Sequence, residues 1–228
     1  MKITLGTTYY ENPDYLYRFI KLYKDKVDEI IIVDDYSTKF KLETLFEPEP
    51  SVKLYKVTKD YGFNSHGSRN LIMNQAKNDW VCLIDVDREF YNEGEDILKI
   101  YEKELSKEVL YKFSAHFLQY GRYLHKSVND FLIHKELFYK VGGYDEECIG
   151  YRTGDRQLFE QISNFARIEA LTDINLILTR PATKTKKNLA ENPPKRSLLN
   201  KFEETFRKRE LHPEKDKKTL TFDWEQIF

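Results

Sequence analysis

Two short acidic clusters stand out along the 228-residue chain. Asp34-Asp35 follows Glu29-Ile30-Ile31-Ile32-Val33, and Asp85-Val86-Asp87 follows Trp80-Val81-Cys82-Leu83-Ile84. Carboxylates that share one place repel each other unless a cation sits among them. Hard oxygen ligands suit Mg²⁺ or Mn²⁺, above all where phosphate oxygens complete the shell. With 16 Asp in the chain, chance alone yields about one Asp-x-Asp, so the pattern by itself is weak. Its position directly after an apolar run gives it weight; a pair of solvated loop acids is the competing reading. A second segment, Gly62 to Asn70, opens a helical pattern. Ser65 can cap that helix, free backbone N–H groups at its start favour an anion, and Arg69 offers a fork matched to phosphate. An ordinary helix start with a surface arginine would read the same way, and His66 receives no role. A third segment is Gly142-Gly143-Tyr144-Asp145-Glu146, followed by Gly154-Asp155-Arg156-Gln157. A carboxylate facing a metal site across a cleft is what deprotonating a hydroxyl requires. Asp155 can equally serve as a plain helix cap.

The elements that must position these residues alternate. Ile3 to Thr7 is a short strand, and Leu16, Phe19, Ile20 and Tyr23 recur at helical spacing behind Asn12-Pro13. Glu29 to Val33, Val52 to Val57 and Trp80 to Ile84 read as strands, with a helix over Ser65 to Ala76. Strands apolar on both faces and separated by helices argue for a parallel sheet covered on both sides, with ligands at the carboxyl ends of its strands. Residues 1–90 therefore read as a doubly wound α/β half. Beyond them the spacing predicts strands at Val109 to Phe113, Phe131 to His134 and Ile174 to Thr179. Helices are expected from Glu136 to Val141 and from about Thr153 to Phe165. Near the end, Leu198, Leu199, Phe202 and Phe206 share one helical face.

Composition excludes several classes. Lys and Arg number 37 against 38 Asp and Glu, a formal net charge of −1, so the chain is not a uniformly basic nucleic-acid binder. The charge is divided, however: residues 1–180 carry 25 basic against 30 acidic residues, and residues 181–228 carry 12 against 8. Pro181 and Pro193-Pro194 punctuate the change, placing a boundary near 180. No apolar run approaches the ~18–20 residues of a membrane span, and no signal-like segment opens the sequence. Cys82 and Cys148 are too few for a disulfide framework and wrongly spaced for zinc. A cytoplasmic location is the expectation. Tyr (16) and Phe (15) are abundant, which reads as codon usage in an AT-rich genome or as surfaces for stacking on bases and sugars.

Taken together, the segments resemble GT-A fold glycosyltransferases, family 2 in particular. The resemblance covers residues 1–180 and rests on five pieces in order: Leu5 to Tyr9, Ile31 to Thr38, Asn64 to Asn70, Trp80 to Asp87, and Val141 to Glu146 followed by Asp155. It implies a Rossmann-like, mostly parallel α/β sheet flanked by helices. A nucleotide-binding half (1–90) and an acceptor half (91–180) would precede a basic, helical C-terminal extension (181–228). It also implies roles. Thr7, Thr8 and Tyr9 would line the nucleoside pocket, and Asp34 or Asp35 would bind base or ribose. Arg69 would lie near the nucleotide, Asp85 would contact ribose or sugar beside the metal, and Asp87 would hold Mn²⁺ or Mg²⁺ against the diphosphate. Asp155 would be the general base of an inverting transfer from a nucleotide-sugar, a UDP-sugar first of all. Two departures are visible: Gly154-Asp155 stands where the family often has Glu-Asp, and no processive Gln-x-x-Arg-Trp motif follows Asp155.

Rival readings remain open at this point. A sugar-nucleotide nucleotidyltransferase would share the sheet, yet Gly6-Thr7-Thr8-Tyr9-Tyr10-Glu11 is poor for triphosphate binding. A non-catalytic nucleic-acid or partner-binding protein would use Lys184, Lys186, Lys187, Lys195, Arg196, Arg207, Lys208 and Arg209. The two ideas combine in a transferase whose acceptor is modified DNA, as with some phage enzymes; a surface glycan or a protein is the other acceptor class.

Overall fold

A computed structural model describes residues 1–117, 122–124, 129–146, 154–178 and 220–228. Its centre is one mixed sheet. Strand β1 (Ile3–Tyr9) is followed by helix α1 (Pro13–Tyr23), strands β2 (Glu29–Asp34) and β3 (Val52–Val57), helix α2 (Ser65–Gln75) and strand β4 (Trp80–Leu83). Then come β5 (Arg88–Phe90), β6 (Val109–Phe117), β7 (Arg122–Leu124) and β8 (Phe131–His134). Helices α3 (Lys135–Lys140) and α4 (Gly154–Phe165), then β9 (Arg167–Leu178) and β10 (Trp224–Gln226), complete the order. Across the sheet the strands run β10-β3-β2-β1-β4-β8-β6-β9-β5, with β7 paired to β6.

The first four strands are built as their sequence dictates. Strands β1 to β4 are mutually parallel, in the order β3-β2-β1-β4, and Ile30 to Val33 are wholly enclosed between helical layers. Helix α1 buries Leu16, Phe19, Ile20 and Tyr23 on one face and begins at Pro13, whose fixed φ suits a first turn. On the other side, α2 packs Leu71, Ile72 and Met73 against Ile31, Val33, Val81 and Leu83. The cap of α2 is Asn64, one residue before the Ser65 expected from sequence; its Oδ1 accepts from the Gly67 N–H at 3.2 Å.

Past β4 the sheet changes character. Strand β8 runs antiparallel to both β4 and β6, β9 lies parallel to β6, and β5 pairs antiparallel with β9. The last nine residues rejoin the body. Strand β10 lies antiparallel along the outer edge of β3, and Phe222 is buried beside Tyr61. The helical face expected at Leu198, Leu199, Phe202 and Phe206, the boundary near 180 and the basic residues 184–209 lie outside the described residues. Among the described residues, no helix is long and apolar enough to cross a membrane.

Candidate active site

The parallel strands β1, β2 and β4 deliver their last residues to one edge, and each acidic cluster stands at that edge, with β1 between them. Side chains alternate along β1, so Thr7 and Tyr9 turn inward while Thr8 and Tyr10 stay partly exposed. Tyr9 is only 1% exposed and its hydroxyl donates to the Phe40 carbonyl at 3.0 Å. The ring belongs to the core, so of Tyr9 only the backbone faces the edge where the resemblance puts the nucleoside pocket. Tyr10 is the ring that lies among the acids: burial raises its pKa, with Glu11, Asp60, Asp35 and Asp34 adding to the effect.

Asp34 and Asp35 end β2 and both are buried. Asp34 Oδ1 accepts from the Ser37 N–H at 2.9 Å, and Asp35 Oδ2 accepts from the Asn64 N–H at 2.9 Å, tying β2 to the start of α2. Burial lifts the Asp34 carboxyl to about 7 against the pull of Ser37, with Asp35 and Glu11 contributing repulsion. Glu11, unnoticed in the sequence, holds the next loop: its carboxylate accepts from the backbone N–H groups of Thr38, Lys39 and Phe40. Those bonds keep it below the usual carboxylate range although burial opposes them.

At the end of β4, Asp85 and Asp87 are both partly exposed. A third carboxylate fixes their turn. Asp130 is fully buried, accepts from the Asp85 N–H at 2.9 Å and from Arg88 Nε at 3.2 Å. Burial raises the Asp87 carboxyl to about 6, with Asp85 and Asp130 adding repulsion and Arg88 opposing it. Among the described residues no group of three or more His, Cys, Asp or Glu side chains could hold a metal ion. The oxygen donors of Asp85 and Asp87 suit a hard divalent cation only where phosphate and water supply the rest of its shell.

The Gly-Gly turn and the start of α4 are joined to this edge through α2. Arg69 is 3% exposed, and its guanidinium reaches three groups: Nη2 donates to Asp85 Oδ1 at 2.7 Å, and Nη1 donates to Tyr144 Oη at 2.9 Å and to Asp155 Oδ1 at 3.1 Å. Burial works against its charge, but Tyr144, Asp155 and Asp85 hold it firmly protonated. The resemblance implies a place for Arg69 near the nucleotide; in the structure its fork binds protein groups and brings Asp85 and Asp155 within the span of one guanidinium. The neighbouring Asn70 clamps the Gly-Gly turn. Its Oδ1 accepts from the Tyr144 N–H at 3.0 Å, while Nδ2 donates to the Tyr144 carbonyl at 2.9 Å and to Glu146 Oε1 at 2.8 Å. Gly143 sits at φ +65°, and a Cβ there would meet Phe138 at 2.7 Å, so only glycine suits the turn.

Gly154 explains one departure from the family pattern. The His66 ring lies where a side chain at 154 would begin, within 2.5 Å of the position a Cβ would take. An acid beside Asp155 has no room because the imidazole occupies it. His66 is buried and its ring centroid stands 5.3 Å from that of Tyr144.

The structure thus gathers Asp34, Asp35, Asp85, Asp87, Arg69 and Asp155 along one edge, with Thr7 and Thr8 at the end of β1. Sequence reasoning missed Glu11, Asp130, Asn70 and Tyr144. The Tyr-Asp of the Gly-Gly turn and the Arg-Asn of α2 were visible as motif members, but which atoms met was not. Asp130 carried no local signal at all, since its partners lie 42 and 45 residues away.

Comparison with known proteins gives the same picture. The family model described as glycosyl transferase family 2 matches residues 5–162. No curated protein matches the sequence. Among solved structures, residues 1–349 of TarS from S. aureus superpose with a TM-score of 0.61 at 19% identity, covering 78% of this chain and 60% of that one. The mannosyltransferase PcManGT from Pyrobaculum calidifontis, in complex with GDP-Man and Mn²⁺, gives 0.58 at 16% identity, covering 79% and 57%. Glucosyl-3-phosphoglycerate synthase from Mycobacterium tuberculosis gives 0.51 at 11% identity, covering 81% and 72%. At these identities the likeness is one of fold, and this chain spans about three fifths of the first two. With its parallel first four strands, its acids at the strand ends and a family model covering most of its length, the chain belongs to glycosyl transferase family 2 and has the GT-A fold.

Proposed function

We propose that the protein moves a sugar from a nucleotide-sugar, a UDP-sugar in the first instance, onto an acceptor hydroxyl with inversion at the anomeric carbon. The observation that carries this reading is the Arg69 bridge, which sets the acid of the donor edge, Asp85, and the acid of the acceptor side, Asp155, on one guanidinium. In the proposed step Asp155 takes the acceptor proton, the acceptor oxygen bonds to the anomeric carbon, and the carbon–phosphate-oxygen bond breaks with its electron pair left on the nucleoside diphosphate. General-base help of this kind contributes ~10²–10⁴-fold. Asp85 and Asp87 would hold Mn²⁺ or Mg²⁺, which when bound neutralises charge on the departing diphosphate. Thr7, Thr8 and one of Asp34 and Asp35 would line the nucleoside pocket, and Asp130 keeps the Asp85 turn in place.

The test begins with a panel of UDP-, GDP- and dTDP-sugars, read by Mn²⁺-dependent thermal stabilisation. Saccharide, protein and hydroxymethylated-DNA acceptors are then compared with the best donor. Asp87→Ala is expected to lose both transfer and metal-dependent nucleotide binding, and undiminished transfer in that variant overturns the metal assignment. Asp155→Asn is expected to bind donor normally and transfer nothing.

A further inference from the structure

We propose that Tyr144 is the positioning residue of the proton acceptor: with Arg69 it fixes Asp155 by a single carboxylate oxygen, Oδ1, and so assigns Oδ2 to the acceptor hydroxyl. The inference rests on the reading of Asp155 as the base and adds to it a residue that touches no substrate.

Three hydrogen bonds close a small ring. Arg69 Nη1 donates to Tyr144 Oη and to Asp155 Oδ1, and Tyr144 Oη donates to the same Oδ1 at 2.8 Å. Burial, reinforced by Asp155, raises the tyrosine's pKa against the opposing pull of Arg69, so the hydroxyl keeps its proton and acts as donor. Both bonds received by Asp155 in this ring therefore fall on one oxygen. A carboxylate pinned at one oxygen by two donors from different directions has lost its rotation, and the position of its second oxygen is set.

The hydroxyl itself is held with unusual completeness. Asn70 brackets the backbone of Tyr144, bonding its N–H on one side and its carbonyl on the other. The ring lies against His66 and Phe138, with centroids 5.3 and 6.1 Å away. A phenylalanine would fill this space equally well; only the hydroxyl atom reaches Asp155. Because Arg69 also binds Asp85, the same ring refers the aim of Asp155 to the donor edge. Among the described residues, the charged and titratable groups bonded to Asp155 are Arg69 from α2 and Tyr144 from the turn, with Asp85 beyond the guanidinium and the His66 ring against the neighbouring Gly154.

The experiment uses the full chain and two variants, Tyr144→Phe and Asp155→Asn. The Asp155 carboxyl is followed by ¹³C NMR in the metal-free protein, its resonance identified by its loss in Asp155→Asn. Release of nucleoside diphosphate to water is measured with Mn²⁺ and the donor that stabilises the protein most. A charge-assisted hydrogen bond polarises the carboxylate that receives it, so Tyr144→Phe is expected to displace the Asp155 carboxyl resonance from its wild-type position at neutral pH. It should lower kcat about tenfold through loss of aim, with donor KM nearly unchanged. An inert Asp155→Asn beside a Tyr144→Phe with wild-type kcat and carboxyl resonance overturns the tyrosine's role alone. A fall in kcat with no displacement of that resonance reduces Tyr144 to packing and also overturns it. Wild-type turnover in Asp155→Asn overturns the base assignment and takes this inference with it.

Discussion

At the scale of single residues, the site is governed by carboxylates placed where they are costly to ionise. Asp34 illustrates the sign. Its folded-state carboxyl, lifted to about 7 first by burial and then by Asp35 and Glu11, holds its proton over a range in which the unfolded chain has released it. Between about pH 4 and 7 the folded state binds the extra proton, so stability falls as pH rises through that window and levels off above it. Asp34→Asn keeps an oxygen for the Ser37 N–H and removes the titration. The variant is expected to gain on the wild type on passing from pH 5 to pH 8, on the order of 3 kcal/mol. Parallel unfolding curves at the two pH values would show instead that Asp34 is not the group responsible. Asp87 has the same direction of shift, to about 6. On the proposed metal assignment a cation must displace that proton, so Mn²⁺ affinity is expected to fall about tenfold per pH unit below 6, which calorimetric titration at pH 5 and 7 measures.

At the scale of elements, α2 and α4 meet through His66 and Gly154. An imidazole pressed on a glycine at the first position of α4 means that the helix approaches this closely only while residue 154 has no side chain. Gly154→Glu, which restores the acid pair common in the family, is expected to force the ring and α4 apart and to destabilise the protein by about 2 kcal/mol. His66→Ala empties the same space, so the double variant should recover part of that loss. Additive losses would mean that the two residues do not share one space. This contact also shows what the sequence could and could not disclose. Apolar runs such as Ile30 to Val33 announce their strands because they are enclosed on both faces, and the helical spacing of Leu16, Phe19, Ile20 and Tyr23 announces α1. The first half of β9 escaped because Arg167 to Asp173 lies largely exposed, and an exposed strand leaves no hydrophobic period to read. The short β5 and β10 escaped because three residues carry no period at all. At the site, the acids and Arg69 were legible as motif members after apolar strands. The ring through Tyr144, the Asp130 anchor and the His66–Gly154 fit were not, because each joins residues distant in sequence.

At the scale of the whole molecule, the chain's last described segment closes on the edge of β3 and touches the Gly-Gly turn at the same time. The Thr58 N–H donates to the Asp223 carbonyl at 3.0 Å, and Leu54 exchanges backbone bonds with Ile227 and Phe228, so β10 covers an edge of β3 that would otherwise present free N–H and C=O groups. One step earlier, the Thr221 N–H donates to Glu146 Oε2 at 2.7 Å, while the other oxygen of Glu146 takes the Asn70 amide. The closing segment is thereby linked, through Asn70, to the backbone of Tyr144. Phe222 is the apolar anchor of this arrangement, 4% exposed and packed with Tyr61 over the start of α2, where a Cβ on Gly67 would meet its ring at 2.8 Å. Emptying that position removes a large buried ring, a change that costs about 3 kcal/mol or more in a well-packed site. For a chain of this size Phe222→Ala should lower the unfolding temperature by about 6–12 °C. Well below the new midpoint the variant should retain most of its turnover, because the Arg69, Tyr144 and Asp155 ring does not itself include Phe222. An unfolding temperature within 2 °C of the wild type would mean that the segment is not docked on β3 in solution, and β10 would then have to be removed from the sheet.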